Sequence, residues 1–144
     1  MIVYSKARVK AADVPSYESL SAAANKGRVC VRSGSHPYNL SLVAAMIEHL
    51  GEPKAEAWAR GVVANFARAP KGGDTDQIKA VAAGECDVAL SNSYYYARLL
   101  RSAKVEDREV VAKAGIVWPD QAGVGTHVNI SGAGVLKNAP HRDA

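Results

Sequence analysis

The sequence predicts an α/β domain with a mixed, largely parallel sheet flanked by helices. Short apolar runs at 28–32, 87–90 and 115–118 alternate with longer stretches of helical period, the order of a layered α/β fold. Alanine and glycine are plentiful while aromatic residues make up only 6%, which suits close helix–sheet packing. A chain of 144 residues, 48% of them hydrophobic, is long enough to bury the core of one ordinary domain.

Taken in order, residues 2–5 read as a strand that starts almost at the first residue. A polar connection follows, then a short helix start at 15–20 with Ser16 as its cap. The run 28–32, rich in β-branched residues, is the second strand. From Leu40 the period becomes helical, with Leu40, Val43, Ala44, Ile47 and Leu50 on one face and Gly51 at the end. Pro53 opens a second helix whose apolar stripe is Trp58, Val62 and Phe66. Asp74 to Gln77 fits a capping box, and the helix it begins ends at Gly84. A strand at 87–90 leads into the helix that carries three consecutive tyrosines. A further helix spans 105–113, and residues 115–118 form a strand stopped by Pro119. Residues 126–136 read as extended and glycine-rich.

Charge narrows the partners. The net charge is +4, but Lys and Arg are interspersed with Asp and Glu, so there is no basic stripe to follow a nucleic-acid backbone. No apolar run approaches the length of a membrane span, and the first residues lack the pattern of a signal peptide. Cys30 lies mid-strand, where it reads either as an inert buried thiol or as the disulfide partner of Cys86.

The chemistry concentrates where strands turn into helices. Tyr94, Tyr95 and Tyr96 follow the strand at 87–90, at a carboxyl end of the kind where open α/β sheets bind ligands. Consecutive helical residues point about 100° apart, so three phenols cannot all face the core and at least one faces a cleft. A phenol ionises near pH 10, so using it as a neutral-pH ligand needs a strong cation such as trivalent iron. The loop Ser33-Gly34-Ser35-His36-Pro37-Tyr38 has the same setting, between a strand and a helix. Its amides and hydroxyls form either an ordinary polar cap or an anion site, and Tyr38 adds a fourth phenol. Two other readings stay open here: a lobe holding a small oxyanion at Ser33–Ser35, and an enzyme using Cys30 or His127. The sequence offers neither a nucleophile–base pair nor a Gly-x-Ser-x-Gly elbow.

Several segments together resemble the ferric-iron-binding subunit of bacterial iron ABC transporters. They are Ile2-Val3-Tyr4-Ser5, residues 27–33, 64–68, 72–74 and 83–89, the triple tyrosine, and residues 125–135 with the run Thr126-His127-Val128-Asn129-Ile130-Ser131-Gly132. The resemblance covers essentially the whole chain. It implies a type II periplasmic-binding-protein-like lobe of a two-lobed protein that closes on Fe3+. It implies hinge strand 1–5, a second lobe at 6–127, and a returning hinge strand with an unfinished lead-in at 128–144. Tyr94 and Tyr95 match the family's adjacent tyrosine ligands, and Tyr38 matches the extra tyrosine of the tyrosine-rich branch. Tyr96 matches a packing position. Ser33, Gly34, Ser35 and Asn92 match the site of a synergistic anion in the other branch. The implied role is non-catalytic delivery of Fe3+ to a membrane permease in the periplasm, with a first lobe supplying the remaining ligands.

Overall fold

The structure, a computed structural model, describes residues 1–141. Strands β1 (Ile2–Ser5), β2 (Val29–Cys30), β3 (Val88–Leu90) and β4 (Ala114–Val117) form one sheet in the order β2-β3-β1-β4. Five α-helices cover it: α1 (Pro37–Leu50), α2 (Glu52–Ala64), α3 (Asp74–Ala83), α4 (Ser93–Leu100) and α5 (Val105–Lys113). Three short 3-10 helices lie between β1 and β2. Strand β2 pairs parallel with β3, while β1 pairs antiparallel with both β3 and β4. Three strands therefore run the same way, and β1 is inserted against them between β3 and β4.

The strands alternate faces with period two, and each face has its own core. Ile2, Val29 and Val88 point to the side covered by α1 and α2, where Leu42, Met46, Trp58 and Val62 meet them. Val3, Cys30 and Ala89 point to the side of α3, α4 and α5, with Ile78, Val81, Leu99 and Val111. This gives three layers with helices on both faces. The disulfide Cys30–Cys86 lies on the second face, its Cα atoms 5.9 Å apart, and ties β2 to the turn before β3. Asp87 in that turn pairs with Arg8 and, at 2.6 Å, with Arg28.

The structure corrects several expectations. Strand β1 lies within the sheet of the lobe, with Ile2 and Val3 fully buried in its middle. Residues 128–136 carry no strand in this structure. Ile130 is 92% exposed there. The last part of the expected lead-in, 142–144, lies outside the described residues.

Helix α1 is also turned from the expected face. It buries Leu42 and Met46, with Val43 and Leu50 beside them, and leaves Leu40 and Ile47 exposed. Both stripes have helical spacing, and packing against α2 and the sheet selects one. At α3 the cap is Gly73, whose N–H donates to Asp76 Oδ2 at 2.7 Å. Asp74 is instead the first helical residue, and its carboxylate is used elsewhere. Gly84 closes α3 in the left-handed conformation (φ 84°), as a glycine at that position readily does.

Candidate functional site

Parallel pairing sets the site. Val29 lies opposite Val88 and Cys30 opposite Ala89, so β2 and β3 end at the same edge of the sheet. The turn after β2 leads into α1 and Tyr38, and the turn after β3 leads into α4 and Tyr94. Two sequence-distant phenols are thereby delivered to one place. Tyr94 Oη donates to Tyr38 Oη at 2.7 Å. The Tyr95 ring lies 4.4 Å from that of Tyr94, centroid to centroid, tilted by 34°. Tyr96 points away: its hydroxyl donates to the carbonyl of Ala114 at 3.0 Å and packs in the α3–α5 core.

The 2.7 Å contact has the usual length of a hydrogen bond between hydroxyls. A small hard cation in octahedral oxygen coordination has bonds of about 2 Å, which puts adjacent ligand oxygens about 2.8 Å apart. The Tyr38 and Tyr94 oxygens stand at a comparable separation. The Tyr94 phenol is pushed well above its ordinary value by desolvation, and then by its hydrogen bond with Tyr38 and the nearby Tyr95 phenol. Without a cation the Tyr94 phenol stays protonated at neutral pH. Among the described residues, no three His, Cys, Asp or Glu side chains gather as a metal site would require.

Around the phenols stand further polar groups, of which Arg32, Arg98, Asn39, Ser41 and Asn129 were not singled out from the sequence. The Arg32 guanidinium lies 5.2 Å from the centre of the Tyr38 ring, and that of Arg98 lies 5.3 Å from Tyr95. Arg32 also donates to buried Asp74 at 2.7 Å. Asn39 Nδ2 donates to the carbonyls of Arg32 and Ser33, closing the Tyr38 turn. A strap runs across this edge: Ser41 Oγ meets His127 Nε2 at 2.8 Å, and Asn129 Nδ2 donates to Asn92 Oδ1 at 3.0 Å. Burial holds the His127 imidazole below its usual pKa, favouring its neutral form. Arg32 reads from sequence as the end of a strand and Asp74 as a helix cap, so no local signal marked either one.

The four residues matched to an anion site are not brought together in one cavity. A small cavity of about 30 Å³ is walled by Arg32, Tyr38, Asp74, Asn92 and His127 among others, without Ser33, Gly34 or Ser35. Ser33 and Ser35 are exposed and bond each other at 2.8 Å. The first amides of α1 are also occupied. Pro37 has none, Tyr38 N–H donates to His36 Nδ1, and Asn39 and Leu40 donate to the His36 carbonyl. Among the described residues, the buried side-chain donors without a partner are Arg32 Nε and Asn92 Nδ2, in the walls of the cavity.

Residues 1–144 match the family described as bacterial extracellular solute-binding protein. The chain belongs to that family. The chain is 51% identical to iron uptake protein A2 of a Synechocystis species, over all of its own length and 42% of the relative's. Among solved structures it is similar to the Trichodesmium protein IdiA (FutA) in complex with iron and citrate ligands, with a TM-score of 0.90 and 54% identity. That match covers 98% of this chain and 45% of the other. A ferric binding protein from Campylobacter jejuni superimposes with a TM-score of 0.83 at 41% identity, over 88% of this chain and 40% of that one. The chain spans about two-fifths of the length of the curated relatives it matches. Its fold is that of a type II periplasmic-binding-protein-like lobe, with the inserted antiparallel strand β1 in a sheet that otherwise runs one way.

Proposed function

We propose that this chain forms one wall of a ferric-ion site in a periplasmic solute-binding protein of an iron ABC transporter. Tyr38, Tyr94 and Tyr95 are its phenolate donors. The observation that carries this reading is the 2.7 Å separation of the Tyr38 and Tyr94 oxygens, the edge of an octahedral site. The iron-related names of the relatives support the choice of metal. Three phenolates fill half of an octahedral shell, and the other donors come from a facing lobe or a synergistic anion such as citrate. An oxygen of that anion meets the unpartnered donors Arg32 Nε and Asn92 Nδ2 more readily than the spent amides of 38–40. The role is capture of Fe3+ and its delivery to a membrane permease, without catalysis. Titrating the chain with Fe3+ in the presence of citrate should raise a phenolate-to-iron charge-transfer band. A flat visible spectrum at saturating iron overturns the reading.

A further inference from the structure

The Tyr38–Tyr94 contact joins two loops that share no covalent constraint near the phenols, so something must fix their separation. We propose that Asp74 is the positioning residue that does so, one carboxylate oxygen holding each tyrosine loop. Oδ1 accepts from Arg32 Nη1 at 2.7 Å, and that guanidinium lies over the Tyr38 ring. Oδ2 accepts from the Asn92 N–H at 2.6 Å and from Ser91 Oγ at 3.5 Å, at the turn that starts the Tyr94 helix. Asp74 makes no hydrogen bond to any of the three phenols; it acts on them through Arg32 and Asn92. It is 2% exposed, and burying a carboxylate costs several kcal/mol unless donors converge on it. Here they come from both tyrosine loops, while the start of α3 adds a favourable dipole. An apolar residue would fill the same position without that desolvation cost, yet would let the two loops drift apart.

The inference deepens the ferric reading, so its test begins without iron. Photo-oxidation of the metal-free chain should cross-link Tyr38 to Tyr94 as dityrosine, mapped by mass spectrometry of the joined peptides. Two variants probe the bracket. Asp74→Asn removes the charge. The double variant Asp74→Leu with Arg32→Met removes the whole pair, a replacement that is often neutral or stabilising in a buried site, so it keeps a folded protein available. Asp87→Asn, at a paired carboxylate far from the phenols in the fold's other turn, is the control for stability alone.

The expected result is a Tyr38–Tyr94 cross-link that falls severalfold in the double variant and in Asp74→Asn, and stays at the wild-type yield in Asp87→Asn. Ferric affinity in citrate should fall about 10–100-fold with the first two, the usual size of a supporting-shell effect. A folded double variant with an undiminished cross-link overturns the proposal. A wild-type chain that cross-links, with the bracket variants losing the link but no iron band in any of them, sinks the ferric reading and leaves this one standing.

Discussion

The hydroxyls of Tyr38 and Tyr94 lie 2.7 Å apart, although 56 residues separate them in the chain. Their meeting depends on β2 and β3 being parallel neighbours, so that the turns leaving both strands open on the same edge.

Removing a phenol oxygen should abolish most metal binding. Tyr94→Phe or Tyr38→Phe deletes one of the proposed donor oxygens while keeping the ring and its packing. Ferric affinity should fall by more than about 100-fold, beyond the range typical of losing a supporting partner. Loss of the charge-transfer band in a visible titration is the check. Tyr96→Phe should leave the band in place, because that hydroxyl bonds the Ala114 carbonyl instead.

Binding should release protons. The Tyr94 phenol titrates above its ordinary range in the metal-free chain, so a cation must displace its proton to use the oxygen. Affinity should therefore rise with pH, by up to about tenfold per pH unit for each proton released. Isothermal titration in buffers of different ionisation enthalpy counts those protons. A pH-independent affinity would mean that phenolates are not the ligands.

Asp87 should make the fold acid-sensitive. Burial raises its pKa, but the hydrogen bonds and charges of Arg8 and Arg28 more than offset that, holding it below the usual 3.8. A depressed carboxyl contributes stability that is present above the unfolded value and lost as pH falls through the folded one. The loss thus begins near pH 4 and grows below it. Asp87→Asn should cost about 1–2 kcal/mol at neutral pH, modest because Arg8 is partly exposed, and should flatten the acid limb of a denaturation series.

The cross-link between β2 and the turn before β3 should dominate stability. Closing a loop with a sequence separation of 56 residues restricts the unfolded chain by about 4 kcal/mol in the chain-entropy account. Cys30→Ala with Cys86→Ala should lower the denaturant midpoint accordingly. Intact mass before and after reduction and alkylation tests the bond itself.

Gly115 should tolerate no side chain. It stands opposite Tyr4 in the β1–β4 ladder, and a Cβ there would collide with the Tyr4 ring. Gly115→Val should cost about 1–3 kcal/mol from overpacking, read as a fall in melting temperature. The phenol edge should keep its geometry, since β4 carries none of the three tyrosines.

The sequence by itself determined the layered class and the order of its elements, because local period and turn chemistry are short-range signals. The helix at 105–113 and the stop at Gly84 were legible in this way. The placing of phenols at strand-to-helix turns was legible too, because a run of three tyrosines beside an apolar strand is visible in one line of sequence. Which face α1 buries was not, because two stripes on that helix satisfy the same period and only its neighbours choose between them. The insertion of β1 between β3 and β4, and the strap that His127 and Asn129 form across the phenol edge, were also decided by long-range contacts. So was the work of Asp74, which reads locally as a helix cap but folds into a bond with Arg32 and the Asn92 amide. Side-chain chemistry can be read from one residue at a time. A 2.7 Å distance between two of them exists only once the sheet has brought their loops to a common edge.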